Sequence, residues 1–306
     1  TVEVRLFDVT QQKTLGGRRY QGRKEEVHRM AHRFADQIML FLTGEEGPFD
    51  SRIAFVSKRR GNRAKEIYVT DLSGSELRKL TNEGTLNLNP SWNAAGTELF
   101  FISYKLGGPY AFRLSLTTER SSRLYPQVSY GGRWSPGGDT LVISAESNGN
   151  SDLFLLSKEG RLIRRLTRHP AIDVSPSWSP DGQHLVFCSG RSGTPQIFIM
   201  NVDTGKIRRL TFQGRYNTDP EWSPRGDTIA YSSRAGGFTV MSINRDGGQM
   251  KKIARGEHPS WAPDGRYLVI TRRGRLYVVS KDGRSSKQLT GAGGDDTSPS
   301  WSVRFR

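Results

Sequence analysis

Three groups of side chains in this sequence have types and spacings that could do chemistry. His28 and His32 stand four residues apart, the separation at which two imidazoles on one helix face can share a metal ion. Cys188 is the single thiol. Asp173, Asp219, Glu257, Asp295 and Asp296 each lie shortly before a tryptophan, and converging carboxylates can bind a cation or dock a partner. Each group also has a plainer reading. The histidines are flanked by Arg29 and Arg33 and lack further ligands nearby, which suits a polar helix face. Cys188 sits in the apolar run "HLVFCSG" and reads as a packed small hydrophobe. One cysteine excludes an internal disulfide framework and a cysteine-based zinc site. The sequence has no G-x-S-x-G elbow, H-E-x-x-H, Walker loop or G-x-G-x-x-G. Ser192 lies in "GRSG", which lacks the elbow pattern, and the five histidines form no evident triad.

The carboxylates are best understood through the elements that carry them. "SPSWSPDG" (175–182) returns as "DPEWSPRG" (219–226) and "HPSWAPDG" (258–265), with echoes at 89–96, 132–138 and 298–301. All six tryptophans fall in this motif, at intervals of 42, 44, 44, 39 and 40 residues. After each of the first five come a Pro/Gly turn and a β-type run such as "HLVFCS". A second run such as "QIFIMNV" follows, and in most repeats a short basic segment such as "RRLT". Four strands per unit of about 40 residues predict propeller blades. In "SPDG" the proline fixes φ and the glycine accepts positive φ, so the motif reads as turn chemistry. The tryptophan then fills space between blades.

The ends complement each other. Residues 52–81 supply three strands without a tryptophan strand, and "PSWSV" near the carboxy terminus supplies a tryptophan strand without the other three. Pairing them closes the ring and removes its open seam. The expected fold is therefore an all-β six-bladed propeller of the WD40-like kind over 52–306, closed by the 298–303 strand. Before it, residues 1–46 read as the carboxy-terminal part of a small α/β domain, followed by a linker at 47–51. "TVEVRLFDV" alternates like a strand of a domain already under way, so a fragment or processed chain is expected. From Lys24 to Leu42 the apolar residues follow helical spacing in one broad stripe.

Net charge is +16. Residues 1–50 hold eight basic and eight acidic groups, leaving 38 against 22 in the remainder. Such a surface favours an acidic partner, nucleic acid or anionic lipid. Exposed stacking aromatics suited to single-stranded nucleic acid are few, with Tyr104, Tyr130 and Tyr216 the candidates, so no nucleic-acid partner is expected. Fourth-strand arginines read as charge that blunts edge-to-edge pairing. No apolar run is long enough to span a membrane.

Because strands alternate direction, the loops before each tryptophan share one face with the loops between second and third strands. The candidate partner-binding residues on that face are Asn87, Asn89, Asp173, Val174, Tyr216, Asn217, Thr218, Asp219, Glu257, His258, Asp296 and Thr297. An acidic mouth with a basic surround is expected, including 57–65, Lys105, Arg191, Arg234, Arg272 and Arg273. That arrangement suits one docked protein.

"FDVTQQK" (7–13), the helix from His28 to Ile38, the junction "LTGEEGPFDSRIAFVS" (42–57) and the six tryptophan blades together resemble the TolB family of periplasmic propeller proteins. The likeness covers nearly the whole chain. It implies a non-enzymatic, monomeric part of the Tol–Pal envelope system, with no cofactor. The propeller face would dock the lipoprotein Pal and support outer-membrane integrity and constriction at division. In some bacteria colicins exploit the same surface. Asn217-Thr218-Asp219-Pro220 matches the family's N-T-E-P-like loop with Asp for Glu, which implies a Pal contact at Thr218 and Asp219. A histidine common in the preceding blade's loop is replaced by Ile172. The family carries roughly a hundred further residues before Thr1, and the contact with TolA is implied for that part. The alternative is a regulatory or gating propeller of a peptidase or other enzyme complex.

Overall fold

The computed structural model describes residues 1–305, the side chain of Glu25 apart. Arg306, the last residue of the expected propeller range, lies outside the described residues. Six four-stranded antiparallel blades form a ring. In each blade the tryptophan strand is innermost. Blade 4 is typical, running Asp173–Trp178, His184–Ser189, Gln196–Asn201 and Ile207–Arg209 from axis to rim.

The second strands are buried on both faces. In His184–Ser189, Leu185 and Phe187 pack against blade 3, while Val186 and Cys188 pack against blade 5. Strand periodicity of two sends alternate side chains to opposite interfaces, which is why these runs are continuously apolar rather than alternating. Six such clusters fill the six interfaces. Cys188 belongs to one of them, and burial pushes its thiol up to about 12.

Each tryptophan lies between its own blade and the preceding one. The Nε1–H of Trp92 donates to the carbonyl of Ser300 at 3.0 Å, Trp178 to Arg133 at 3.1 Å and Trp261 to Glu221 at 3.1 Å. The ring nitrogen thus bonds the inner strand behind it in three blades, while the ring body fills the interface. A buried indole usually finds such an acceptor.

The strand Gly294–Trp301 pairs with Arg52–Arg59, placing Trp301 opposite Ile53. Chain start and end of the ring thereby share blade 1. Blades 2 and 3 are joined differently. One 14-residue strand, Ser121–Trp134, is the outer strand of blade 2 and then the inner strand of blade 3, giving a continuous seven-stranded sheet.

Ahead of the ring, β1 (Val2–Asp8) and β2 (Lys13–Tyr20) form a hairpin, and α1 (Val27–Thr43) follows a single 3-10 turn at Lys24–Glu26. The helix ends on Gly44 at φ 73°, a left-handed cap that glycine supplies without strain. His32 of α1 faces Asp71 of blade 1 at 3.7 Å. Arg29 and Arg33 both bond Asp50, at 3.1 and 3.0 Å.

The segment after α1 is held on the face opposite the pre-tryptophan loops. Glu45 accepts from Arg266 and Arg225, and Glu46 pairs with Arg304 at 2.9 Å. The bond from Arg266, then that from Arg225, holds the Glu45 carboxyl below its ordinary value. A lowered folded value means the latch is complete above the ordinary glutamate range and is lost as pH falls below that range and through the lowered value. Hydrogen exchange at residues 43–47, corrected for intrinsic rate, should therefore speed up relative to the blades between about pH 6 and about pH 3.5. An unchanged protection ratio would show that the latch contributes nothing.

Candidate docking face at the mouth of the channel

The central channel is lined by the Trp-minus-three and Trp-minus-two residues of the inner strands, joined by Tyr130, Arg133 and Glu221. Asn89, Tyr130, Ser175, Asp219, His258 and Ser298 stand around it, beside Arg133 and Glu221. In five blades the residue preceding the inner-strand proline has positive φ: Asn89 52°, Ser175 52°, Asp219 48°, His258 51° and Ser298 49°. Each sits at a register shift against the second strand. A non-glycine residue held there costs on the order of 1–3 kcal/mol. The bulge turns this side chain toward the channel instead of into the blade. Blade 3 lacks the proline and has Gly132 at that position, so its inner strand follows another course.

The five bulged residues are not equivalent. Asp219 carries the only carboxylate among them, and His258 Nε2 lies 3.7 Å from its Oδ2. Ser175 Oγ donates to Asp219 Oδ1 at 3.4 Å. Asn89 donates to the carbonyl of Tyr130 at 2.8 Å. Deeper in, Glu221 accepts from Ser260 Oγ at 2.9 Å and from the Trp261 N–H at 3.1 Å, with Arg133 at 3.5 Å. Burial raises the Glu221 carboxyl, and the nearby Arg133 charge and those two hydrogen bonds offset only part of that rise.

The expected acidic mouth is corrected by this geometry. Asp173 and Asp296 are fully buried within their blades. Asp173 accepts from Arg191 at 3.0 and 2.8 Å, and Asp296 from Ser57 at 2.6 Å. Asp295 stands at the rim, 3.8 Å from Lys65. The reason is the bulge: residues two apart on a regular strand share a face, and the register shift between them leaves Asp173 and Asp296 within the blade while turning Ser175 and Ser298 to the channel. Asn87 and Asn217 follow the same rule. Asn217 is fully buried and donates to Gln196 at 2.9 Å and to the Gln213 carbonyl at 2.8 Å. Asn87 donates to Glu66 at 2.8 Å.

Of the remaining candidates, Val174, Thr218, Glu257, His258 and Thr297 are half-buried, and Asn89 and Tyr216 are exposed. Thr218, Asp219 and His258 are brought together across blades 5 and 6, and Tyr216 stacks edge-on against Phe238 at 6.2 Å. Arg133 and Glu221 are channel residues that the repeat pattern hides. The available signal was a charge at Trp-minus-one, where the other four blades have serine.

Comparison with known proteins fixes the lineage of this ring. The model of the TolB beta propeller domain matches residues 40–305. The chain belongs to the TolB β-propeller family. A Tol-Pal system protein TolB from Desulfosudis oleivorans is 38% identical over 168 residues, which are 55% of this chain and 38% of that protein. One from Geobacter metallireducens is 48% identical over 99 residues, 32% of this chain and 23% of its own length. The chain thus spans well under half of these curated relatives. The crystal structure of TolB from Acinetobacter baumannii superposes with a TM-score of 0.87 at 25% identity, covering 98% of this chain and 79% of that one.

In this TolB-type ring the outer-strand arginines are largely engaged. Arg164 donates to the Val202 carbonyl at 2.6 Å, Arg208 to the Arg245 carbonyl, and Arg165 pairs with Asp152. They tie each blade to the next or to its own third strand, in addition to blunting the edge. Ser192 is exposed and donates to the Thr194 carbonyl at 3.3 Å.

Proposed function

We propose that this chain is a non-enzymatic, periplasmic docking protein of the Tol–Pal envelope system. It binds the lipoprotein Pal at the channel mouth and thereby supports outer-membrane integrity and constriction at division. The observation that carries this reading is the cluster Ser175, Thr218, Asp219 and His258. Ser175, Asp219 and His258 are held by strained bulges on the face where Thr218 and Asp219 of the family tetrapeptide 217–220 are partly accessible. Strain maintained at the mouth of a ring is expected where a surface is kept in shape for a partner. Membership of the TolB family and the Tol-Pal names of its relatives support the choice of partner. Contacts with TolA are assigned to the part of the relatives' length that this chain does not match.

The test is a calorimetric titration of the chain with the soluble domain of the Pal encoded in the same genome. Saturable one-to-one binding is expected. Folded protein that releases no heat and shows no binding by a second method would overturn the assignment and favour a gating propeller of an enzyme complex.

A further inference from the structure

The +16 charge is not evenly spent over the molecule. Many cations are consumed within the ring, as the outer-strand arginines show. On the docking face, Lys105 pairs with Glu83 at 2.6 Å and Arg191 with Asp173. One sector differs. Lys58, Arg60, Arg63, Arg234, Arg255 and Arg273 are exposed and have no ion-pair partner among the described residues. They fall on blades 5, 6 and 1 alone.

Backbone contacts make this sector one continuous arc. Arg272 of blade 6 donates to the Arg255 carbonyl of blade 5 at 2.8 Å. The Asp296 N–H of blade 1 donates to the Gly274 carbonyl of blade 6 at 3.0 Å, and Arg60 N–H to the Gly293 carbonyl at 3.3 Å. The opposite half exposes Leu86, Leu106, Tyr130 and Ile172 together with polar residues such as Gln127, Glu146 and Asn148. On the docking face of that half Arg168 is exposed without an ion-pair partner among the described residues, and Arg215 stands at the blade 4–5 junction, next to the Tyr216 carbonyl to which the Arg234 N–H donates at 2.9 Å.

We infer that the arc is an electrostatic steering surface for an acidic flank of the docked protein, and that it fixes which side of the partner faces blades 5, 6 and 1. This rests on the docking reading above. A flat polyanion would be met as well by cations spread around the whole rim. A one-sided arc suits a single protein with one acidic side. Because the guanidinium groups stay charged throughout the neutral range, the steering depends on salt rather than pH.

The experiment measures association and dissociation rates for the soluble Pal domain at low and moderate salt. The wild-type chain is compared with a triple variant, Arg60→Glu, Arg63→Glu and Arg273→Glu. All three positions are exposed, and matched melting curves verify that the variant is folded. Association should slow about tenfold or more at low salt, the salt dependence should flatten, and dissociation should stay within about twofold. Binding with an unchanged association rate would overturn the steering inference and leave the docking reading standing. No wild-type binding would overturn both. Vesicles of phosphatidylethanolamine with about one third phosphatidylglycerol supply the last arm. Vesicle binding lost in the variant, with Pal association unchanged, would overturn the inference in favour of a membrane surface.

Discussion

A chain ending at Gly293 should fail to unfold cooperatively on heating and should bind a hydrophobic dye at room temperature. The missing residues are the inner strand of blade 1 and the tail that follows it. Their loss uncovers Ile53 and Phe55, which are fully buried, and removes Trp301, whose Nε1–H donates to Ser51 Oγ at 2.7 Å. The acceptor for Trp92, the Ser300 carbonyl, goes with them. Phe305, edge-on to Trp92 at 6.0 Å, and Arg304, bonded to the Gly47 carbonyl at 2.7 Å, are lost as well. Burial of Trp301 alone is worth about 3–5 kcal/mol, a large part of the roughly 5–15 kcal/mol that stabilises a domain. Losing the whole strand exceeds that margin. Trp301→Ala should leave a folded protein melting on the order of 10 °C lower. Trp301→Phe should cost less, because the ring body stays and the single hydrogen bond goes. A truncated chain that melts sharply near the full-length temperature would show that the ring does not depend on this closure.

At the other end of the channel, Asp219→Arg should weaken Pal binding by about 100-fold or more, while the melting temperature moves little. The arginine brings a positive charge beside His258, takes away the acceptor of Ser175 and adds bulk at the mouth. At φ 48° most side chains are strained, but asparagine tolerates the conformation as aspartate does. Asp219→Asn is therefore the informative companion. It preserves the bulge and an oxygen acceptor and removes only the charge, so a loss of about tenfold or less is expected. Equal, large losses in both variants would assign the effect to charge. Unchanged affinity in both would place the docking surface elsewhere on the molecule.

The architecture could be read from the sequence because its signals are local and repeated. A tryptophan with a Pro/Gly turn every 40 residues or so specifies an inner strand and its reversal, and the unequal ends specify closure. The strand Ser121–Trp134 was harder to see. "YPQVSYGG" carries a proline, glycines and polar residues, which read as a loop, yet neighbouring strands on both sides supply its hydrogen bonds. At the docking face the sequence placed the loops correctly but not the direction of individual side chains. Whether Asp173 or Ser175 points to the channel depends on a bulge two residues downstream, and its one compositional mark, the proline that follows, reads equally well as an edge or strand-start signal. Asn87, Asn217 and Asp296 were obscured in the same way. The pairing of Arg133 with Glu221 spans blades 3 and 5, and no spacing rule within a repeat relates them.

The unlike residues at the bulges have a consequence for rotational ambiguity. A ring with six identical blades would offer a partner six equivalent angular settings, a degeneracy of about 1 kcal/mol at room temperature (RT ln 6) and no defined heading. Asparagine, serine, aspartate, histidine and serine, with a glycine course in blade 3, leave no rotation that maps the mouth onto itself. The repeat builds a compass dial, and the divergence among its copies marks north.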